Sequence, residues 1–279
     1  SVSVDDLLAV ADESAQMMEY SSKLEMQSSE LKRTAKQLRS VNEKLTQISV
    51  QKDGFLSQIS HELRTPMTSI RSFSEILRDN PDMPNPDKVR YAGIIHSETL
   101  RLTRLLDDLL DLSVLEAGHV SLNLTQKSLE EVIDGAISSA GVHAGEGIEI
   151  FRRRQNERLD LHTDVDRLAQ VFINIISNTL KYCDAQERTL RIKVFCDHDL
   201  INVDFIDNGS VIDTEMREVI FEKFSRVGET KAGGAGLGLA ICREIMTRLG
   251  GEIFYLPGQG GTAFRVQFPP NCTPQSEIV

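Results

Sequence analysis

The sequence predicts a multidomain chain: an N-terminal coiled-coil helix, a helical hairpin that forms a four-helix bundle in a dimer, and a C-terminal α+β sandwich. Three observations predict it. Residues 5–52 contain neither Pro nor Gly and place an apolar residue at every seventh position. Two stretches of helical apolar period, 53–79 and 87–117, flank a turn marked by Pro81, Pro84 and Pro86. Beyond residue 119 the period shortens to that of strands, interrupted by capped helices and glycine-rich turns.

The 279 residues suit one to three domains with a sizeable core. Hydrophobic residues make up 40% and charged residues 26%, the balance of a globular protein, and the net charge of −11 argues against unselective binding to nucleic acid or anionic membranes. One local basic run, Arg152-Arg153-Arg154, reads either as a basic patch or as a solvated strand or loop face. The four cysteines, Cys183, Cys196, Cys242 and Cys272, form no CxxC pair and are expected as free thiols in a reducing compartment. No run of about 18 apolar residues and no signal peptide are present. The chain starts without Met in helical sequence, so it is expected to be a piece of a longer protein. As it stands it is expected to be cytoplasmic, with any inner-membrane anchor in segments absent from it.

In the first segment Val10, Met17, Leu24, Leu31, Leu38 and Leu45 occupy one heptad position. Ser14, Ser21, Ser28, Ala35, Asn42 and Ser49 fill the other seam column. An apolar column beside a small or polar one makes a weak coiled coil. It serves either as a plain dimerising stalk or as a stalk kept marginal so that it can switch and transmit a signal.

Residues 53–79 continue as an amphipathic helix. At about 100° per residue, Phe55, Ile59, Leu63, Pro66, Ile70, Phe73 and Leu77 fall within about 80° of one another. Pro66 removes a hydrogen bond and is expected to bend the helix. The second helix carries Ile94, Ile95, Leu102, Leu105, Leu109 and Leu112, with Gly118 suited to its C-terminal cap. Neither helix can bury its stripe alone, so two hairpins from two chains are expected to share a core.

After residue 119, Val120–Leu124 alternates like a strand, and Ser128-Leu-Glu-Glu131 opens a helix to about 140. Strands are expected at 147–153 and 158–162, then a helix capped by Asp164 and running to Tyr182. Strands at 189–196 and 200–206, a short helix at 213–220, a helix at 236–249, and strands at 251–256 and 262–268 complete the sandwich. Residues 270–279 read as a frayed tail.

His61 lies near 240° on a wheel whose apolar stripe is centred near about 40°, so it faces water with Ser57, Thr65, Thr68 and Ser72. An exposed imidazole beside an acid, Glu62, suits nucleophilic attack: one ring nitrogen's proton is held while the other nitrogen reacts. Further along, Asn174, Asn178 and Lys181 share one face of a helix whose other side carries Phe172, Ile176 and Leu180. Amide oxygens and an ammonium in line can serve phosphates through a hard cation. Asp207-Asn208-Gly209 ends a strand, where a carboxylate can accept from an adenine amino group. Gly233-Gly234-Ala235-Gly236-Leu237-Gly238 opens a helix whose bare N–H groups favour phosphate. It is neither a Walker A loop nor a Rossmann turn.

The run Ser60-His61-Glu62-Leu63-Arg64-Thr65-Pro66 resembles the H box of sensor histidine kinases. Asn174-Ile-Ile-Ser-Asn178-Thr-Leu-Lys181-Tyr182 resembles their N box, the glycine runs their G boxes, and Phe221-Glu-Lys-Phe224 their F box. Gly258-Gln-Gly-Gly261-Thr262 looks like the last glycine box. The resemblance covers about residues 53–268 and implies a Bergerat-type (GHKL) ATP-binding sandwich.

It further implies that His61 accepts phosphate, that Glu62 acts as base, and that Thr65 orients a hydrolytic water in a phosphatase mode. ATP and Mg²⁺ are implied cofactors. Asn174 and Asn178 would hold the metal, with Lys181, Tyr182, Asp207, Gly209, Gly234, Gly236, Leu237, Gly238 and Thr262 at the nucleotide and residues 225–235 as its lid. The implied partners are a second copy, through hairpin and coiled coil, and the receiver domain of a response regulator; no nucleic acid is implied. The segment 4–24 is also similar to the linker before the transmitter in sensor kinases fused to solute-symporter-like membrane domains.

One departure stands out. Val211 replaces the usual second glycine of the first G box, which puts the adenine-side turn in question and leaves a pseudokinase or phosphatase scaffold as the alternative. The expected domains are 1–52 (signalling helix), 53–118 (dimerisation and phosphotransfer), 119–270 (catalytic) and 271–279 (tail).

Overall fold

The computed structural model describes residues 4–116, 122–141, 147–225 and 236–272. Its contacts divide the chain into two compact units, Ser1–Ser60 and His61–Val279.

Helix α1 runs Val4–Asp79, so the expected stalk and first hairpin helix are one element, and Pro66 does not interrupt it. In the first unit the heptad residues Met17, Leu31, Leu38 and Leu45 stand exposed along a single helix. Val10 and Leu24 lie outside the residues whose side chains are described.

The second unit begins with the hairpin. Helix α2 runs Asn85–Glu116, starting two residues earlier than the apolar period suggests. Pro86 falls in its first turn, where the missing N–H costs nothing. Phe73 and Tyr91 stack across the hairpin at 5.3 Å. Pro66 is buried, while Thr65, Thr68 and Ser72 are exposed, as the wheel requires. Gly118 lies outside the described residues.

The remaining elements form two sheets and a helical layer. Strand β1, Leu124–Ser128, pairs antiparallel with β3, Asp160–Asp164. Of the alternation expected from Val120, residues 120 and 121 lie outside the described residues, and the strand register starts at Leu124↔Asp164. Ser128 ends β1 and caps α3, Leu129–Ser139, accepting from the Glu131 N–H.

The large sheet comprises β2 (Glu149–Arg152), β4 (Thr189–Asp197), β5 (Leu200–Asp207), β6 (Glu252–Tyr255) and β7 (Ala263–Phe268) in the order β2-β4-β5-β7-β6. Only the β2–β4 pairing is parallel. Helices α3, α4 (Val165–Tyr182) and α6 (Gly238–Arg248) pack as neighbours, α4 against β5. Short α5 spans Met216–Val219. Phe172 and Phe205, both fully buried, meet ring to ring at 5.2 Å.

Two expectations are corrected. Pro270–Cys272 do not fray: the His162 N–H donates to Pro270 O, and the Cys272 N–H donates to His162 O, each at 2.8 Å. Their backbone groups find partners on β3, so the chain stays docked there. Arg152 is neither solvated nor a free basic patch; it is half-buried, donates Nε–H to both Glu157 oxygens at 3.1 Å, and pairs with Asp134. Arg154 is exposed but is taken up by Glu130 and Asp134. Three cysteines, Cys183, Cys242 and Cys272, are buried, and all four are free thiols.

Glu157 is 0% exposed. Glu157→Ala takes one of two acidic partners from the half-buried Arg152 and is expected to cost about 1.5–3 kcal/mol, read by urea unfolding; a change near zero would show that Asp134 alone suffices.

Candidate functional site

The hairpin presents His61 to solvent. Its side chain is 77% exposed, and Nδ1 lies 3.9 Å from Glu62 Oε1. Thr65, one turn on, donates Oγ1–H to the His61 carbonyl at 3.3 Å. His61 and Thr65 therefore share a wet helical face, with Glu62 beside them and partly sheltered, its side chain 17% exposed.

A cavity of about 440 Å³ opens beside α4 and is lined by Asn174, Asn178, Lys181 and Tyr182. Asp207, Gly209 and Val211, which follow β5, line it as well. So do Gly236, Leu237 and Gly238 at the start of α6, and Thr262. Every expected pocket residue is thus gathered there except Gly234, which lies outside the described residues. Most of the expected lid does too, at 226–235. Helix α4 achieves this by burying Phe172, Ile175 and Ile176 and turning the asparagines the other way.

Asp207 is built to hold one orientation. Its Oδ1 accepts from Gly209 N–H at 2.9 Å and Thr262 N–H at 3.0 Å. Burial raises its pKa, and those two N–H groups partly oppose the rise. Gly261 explains the last glycine box: a Cβ there would stand 2.1 Å from the Asp207 carbonyl oxygen. Gly236 has φ +72°, and a Cβ would stand 2.6 Å from the Ser225 carbonyl oxygen, so the turn into α6 requires glycine.

Val211 needs no such freedom, since it is absent from the residues with positive φ. The turn is fixed otherwise. Ser210 donates N–H at 2.8 Å and Oγ–H at 2.6 Å to Asp184, and accepts from Thr262 Oγ1 at 2.7 Å. Asp184 and Cys183 also line the cavity; no motif in the sequence marks either as a site residue.

The cavity's other wall comes from α2. Asp108 lines it, with a pKa raised to about 6, by burial first and by the Asp111 charge second. Burial and then Arg104 lower the pKa of Lys181, while Asp108 opposes that shift. Gln170 Nε2 donates to Asp111 Oδ2 at 2.8 Å, Arg167 lies 3.6 Å from Asp111 Oδ1, and Lys223 pairs with Glu116. No periodicity marks these α2 residues as site residues; only the packing does.

Asn174 donates Nδ2–H to the Gly238 carbonyl at 3.4 Å, which leaves its amide oxygen available to a cation. Among the described residues no group of three or more His, Cys, Asp or Glu could hold a metal; the oxygens of Asn174 and Asn178 are of the hard type that suits Mg²⁺.

Two family models match the chain. The "His Kinase A (phospho-acceptor) domain" covers residues 51–118, and the "Histidine kinase-, DNA gyrase B-, and HSP90-like ATPase" covers 163–271. The chain is a sensor histidine kinase transmitter region. The Sensor protein KdpD of Escherichia coli (strain K12) is 32% identical over 81% of this transmitter and 25% of its own length. The Sensor protein VanS of Enterococcus faecium is 28% identical over 95% and 69%. The transmitter thus spans a quarter of the first and about two thirds of the second. The solved histidine kinase ThkA in complex with the response regulator protein TrrA is 25% identical, with a TM-score of 0.60 over 77% of this chain and 61% of that one.

Two outcomes follow for the transmitter. Asp108 titrates near 6 folded against an ordinary 3.8, so the folded state holds the proton longer. Stability is full below about pH 4 and is lost as pH rises through about 6. Asp108→Asn should therefore raise Tm relative to wild type at pH 8 but not at pH 4; an equal offset at both would contradict the shift. Gly261→Ala should push the Asp207 backbone aside and weaken nucleotide binding at least tenfold by calorimetry, roughly 1.4 kcal/mol, and wild-type affinity would contradict the close approach.

Proposed function

We propose that this transmitter is an ATP-dependent protein-histidine kinase that phosphorylates its own His61 and passes the phosphoryl group to an aspartate on a response-regulator receiver domain. The observation that carries it is the pairing of an exposed, acid-flanked His61 with a cavity into which α4 turns Asn174, Asn178 and Lys181. The ThkA–TrrA complex supports the receiver domain as partner. The domain division is 1–52, 53–118, 119–270 and 271–279, signalling helix to tail.

ATP would lie with its adenine amino group toward Asp207 and its phosphates along α4 and the start of α6. Mg²⁺, held by Asn174 and Asn178, would supply charge neutralisation on the phosphates. Lys181 adds a positive charge from the same helix face. The α6 N-terminus offers backbone N–H groups to phosphate oxygens. Fixed donors of this kind cost no reorganisation during transfer, so positioning and electrostatics carry the catalysis. His61 attacks through Nε2 while Glu62 takes up the Nδ1 proton. Thr65, on the same face, would place a water during dephosphorylation of the regulator.

The functional unit is a homodimer. Met67, Leu106, Leu110 and Val114 remain exposed on the hairpin, and a second copy would cover them. No helix among the described residues is long and apolar enough to cross a membrane; the transmitter works on the cytoplasmic side, with any anchor in other segments. The scaffold reading rested on Val211, whose backbone places no demand for glycine.

Incubation with γ-labelled ATP and Mg²⁺ should give acid-labile label on wild type and none on His61→Gln, which keeps its nucleotide affinity. Asn178→Ala should lose labelling by at least about a hundredfold and remain dimeric. Label on His61→Gln would remove the acceptor assignment, and near-normal labelling of Asn178→Ala would remove the pocket assignment.

A further inference from the structure

Behind His61 and Glu62 the hairpin carries two further charged side chains of α2, Arg101 and Glu98. Glu62 lies between two groups: Oε1 is 3.9 Å from His61 Nδ1, and Oε2 is 3.6 Å from Arg101 Nη2 on α2. Arg101 is held in turn by Glu98, whose Oε2 lies 3.7 Å from Nη1. The imidazole is 77% exposed, but the Glu62 side chain is 17% exposed and that of Arg101 27%, so the pair behind the histidine is sheltered from water. Glu98 Oε2 is fully buried and makes no hydrogen bond among the described residues. The Arg101 guanidinium is the positive charge that faces it.

We propose that Arg101 is a positioning residue for phosphorylation of His61: it holds one oxygen of Glu62 so that the other is aimed at the Nδ1 proton. This rests on the reading of His61 as the phosphate acceptor and deepens it. A glutamate has three side-chain torsions and, left to itself, spreads over many rotamers. A planar guanidinium offers two N–H groups in a fixed fork. One arm can steer Glu62 while the other is anchored on Glu98. Nucleophile, base and a third group that orients the base make the general constellation of activated nucleophiles.

In the step itself His61 enters neutral, with its proton on Nδ1. The Nε2 lone pair forms the N–P bond as the bond from the γ-phosphorus to the bridging oxygen breaks, and ADP leaves with that electron pair. The Nδ1 proton passes to Glu62 Oε1. Arg101 gives up no proton; it keeps the carboxylate pointed. Bringing 3.9 Å to hydrogen-bond distance takes about 1 Å, and such contacts commonly tighten only in the reacting complex.

The test is a double-substitution cycle on the dimeric protein, following label incorporation at saturating ATP. Arg101→Ala should slow labelling roughly tenfold or more with KM for ATP unchanged. Arg101→Lys should recover part of the loss, since it keeps the charge but not the fork. In the Glu62→Gln background, removing Arg101 should have no further effect. If Arg101→Ala proves unfolded by melting, the Arg101→Lys and Glu62→Gln cycle replaces it with the same expectation of non-additivity. The proposal is overturned if Arg101 substitution slows labelling by the same factor with and without Glu62, if the loss lies in KM for ATP, or if labelling stays at the wild-type rate. Those three results leave the kinase reading standing. A wild type that takes no label removes the kinase reading and this inference with it.

Discussion

Burial of one side of α4 against β5 is the constraint on which the rest of the catalytic half depends. Phe172 and Ile176 are fully enclosed, and Phe172 packs on Phe205 of the central strand. Fully burying side chains of this kind is worth about 1.5–3 kcal/mol each, so the helix cannot rotate without exposing them. At a period of 3.6 residues, locking that side locks the other. Asn174, Asn178 and Lys181 then line the cavity. The proposed phosphate end of the site is thus a by-product of core packing.

The proposed adenine end rests on a different device. Gly209 and Thr262 hold Asp207 through their backbone N–H groups, and Gly261 lets β7's approach pass close to the Asp207 carbonyl. Asp184 and Thr262 together hold the 207–210 turn through Ser210. A valine can therefore stand at 211, because side-chain and backbone hydrogen bonds impose the turn that glycine permits elsewhere.

Histidine and cavity also differ in the demands they meet. A phospho-acceptor must be reachable, and His61 stays in water; what is sheltered is its support, Glu62 with Arg101 and Glu98 behind it. The catalytic half meets α2 through polar links, Asp111 to Gln170 and Arg167 and Glu116 to Lys223 beside the half-buried Asp108, and also through the packing of α2 on α6, with Leu105, Leu112 and Leu115 of α2 buried.

The sequence by itself determined most of the helices and strands, which follow from local periods and caps that each constrain the residues within a few positions. The wheel through Phe55 and Ile70 was enough to put His61 in water, and the i, i+4, i+7 spacing was enough to align Asn174, Asn178 and Lys181; the rest of the expected site came from the resemblance of its boxes to those of histidine kinases. Tertiary structure alone decided what those residues meet: Arg101 behind Glu62, Asp108 across from Lys181, Asp184 clasping Ser210, Arg152 paired with Glu157, and Pro270–Cys272 docked on His162. Each of these joins side chains or backbone groups from different elements, or charges whose burial depends on the whole fold. Such pairings leave no repeating mark along the chain, because long-range packing, and not local periodicity, brings them within reach.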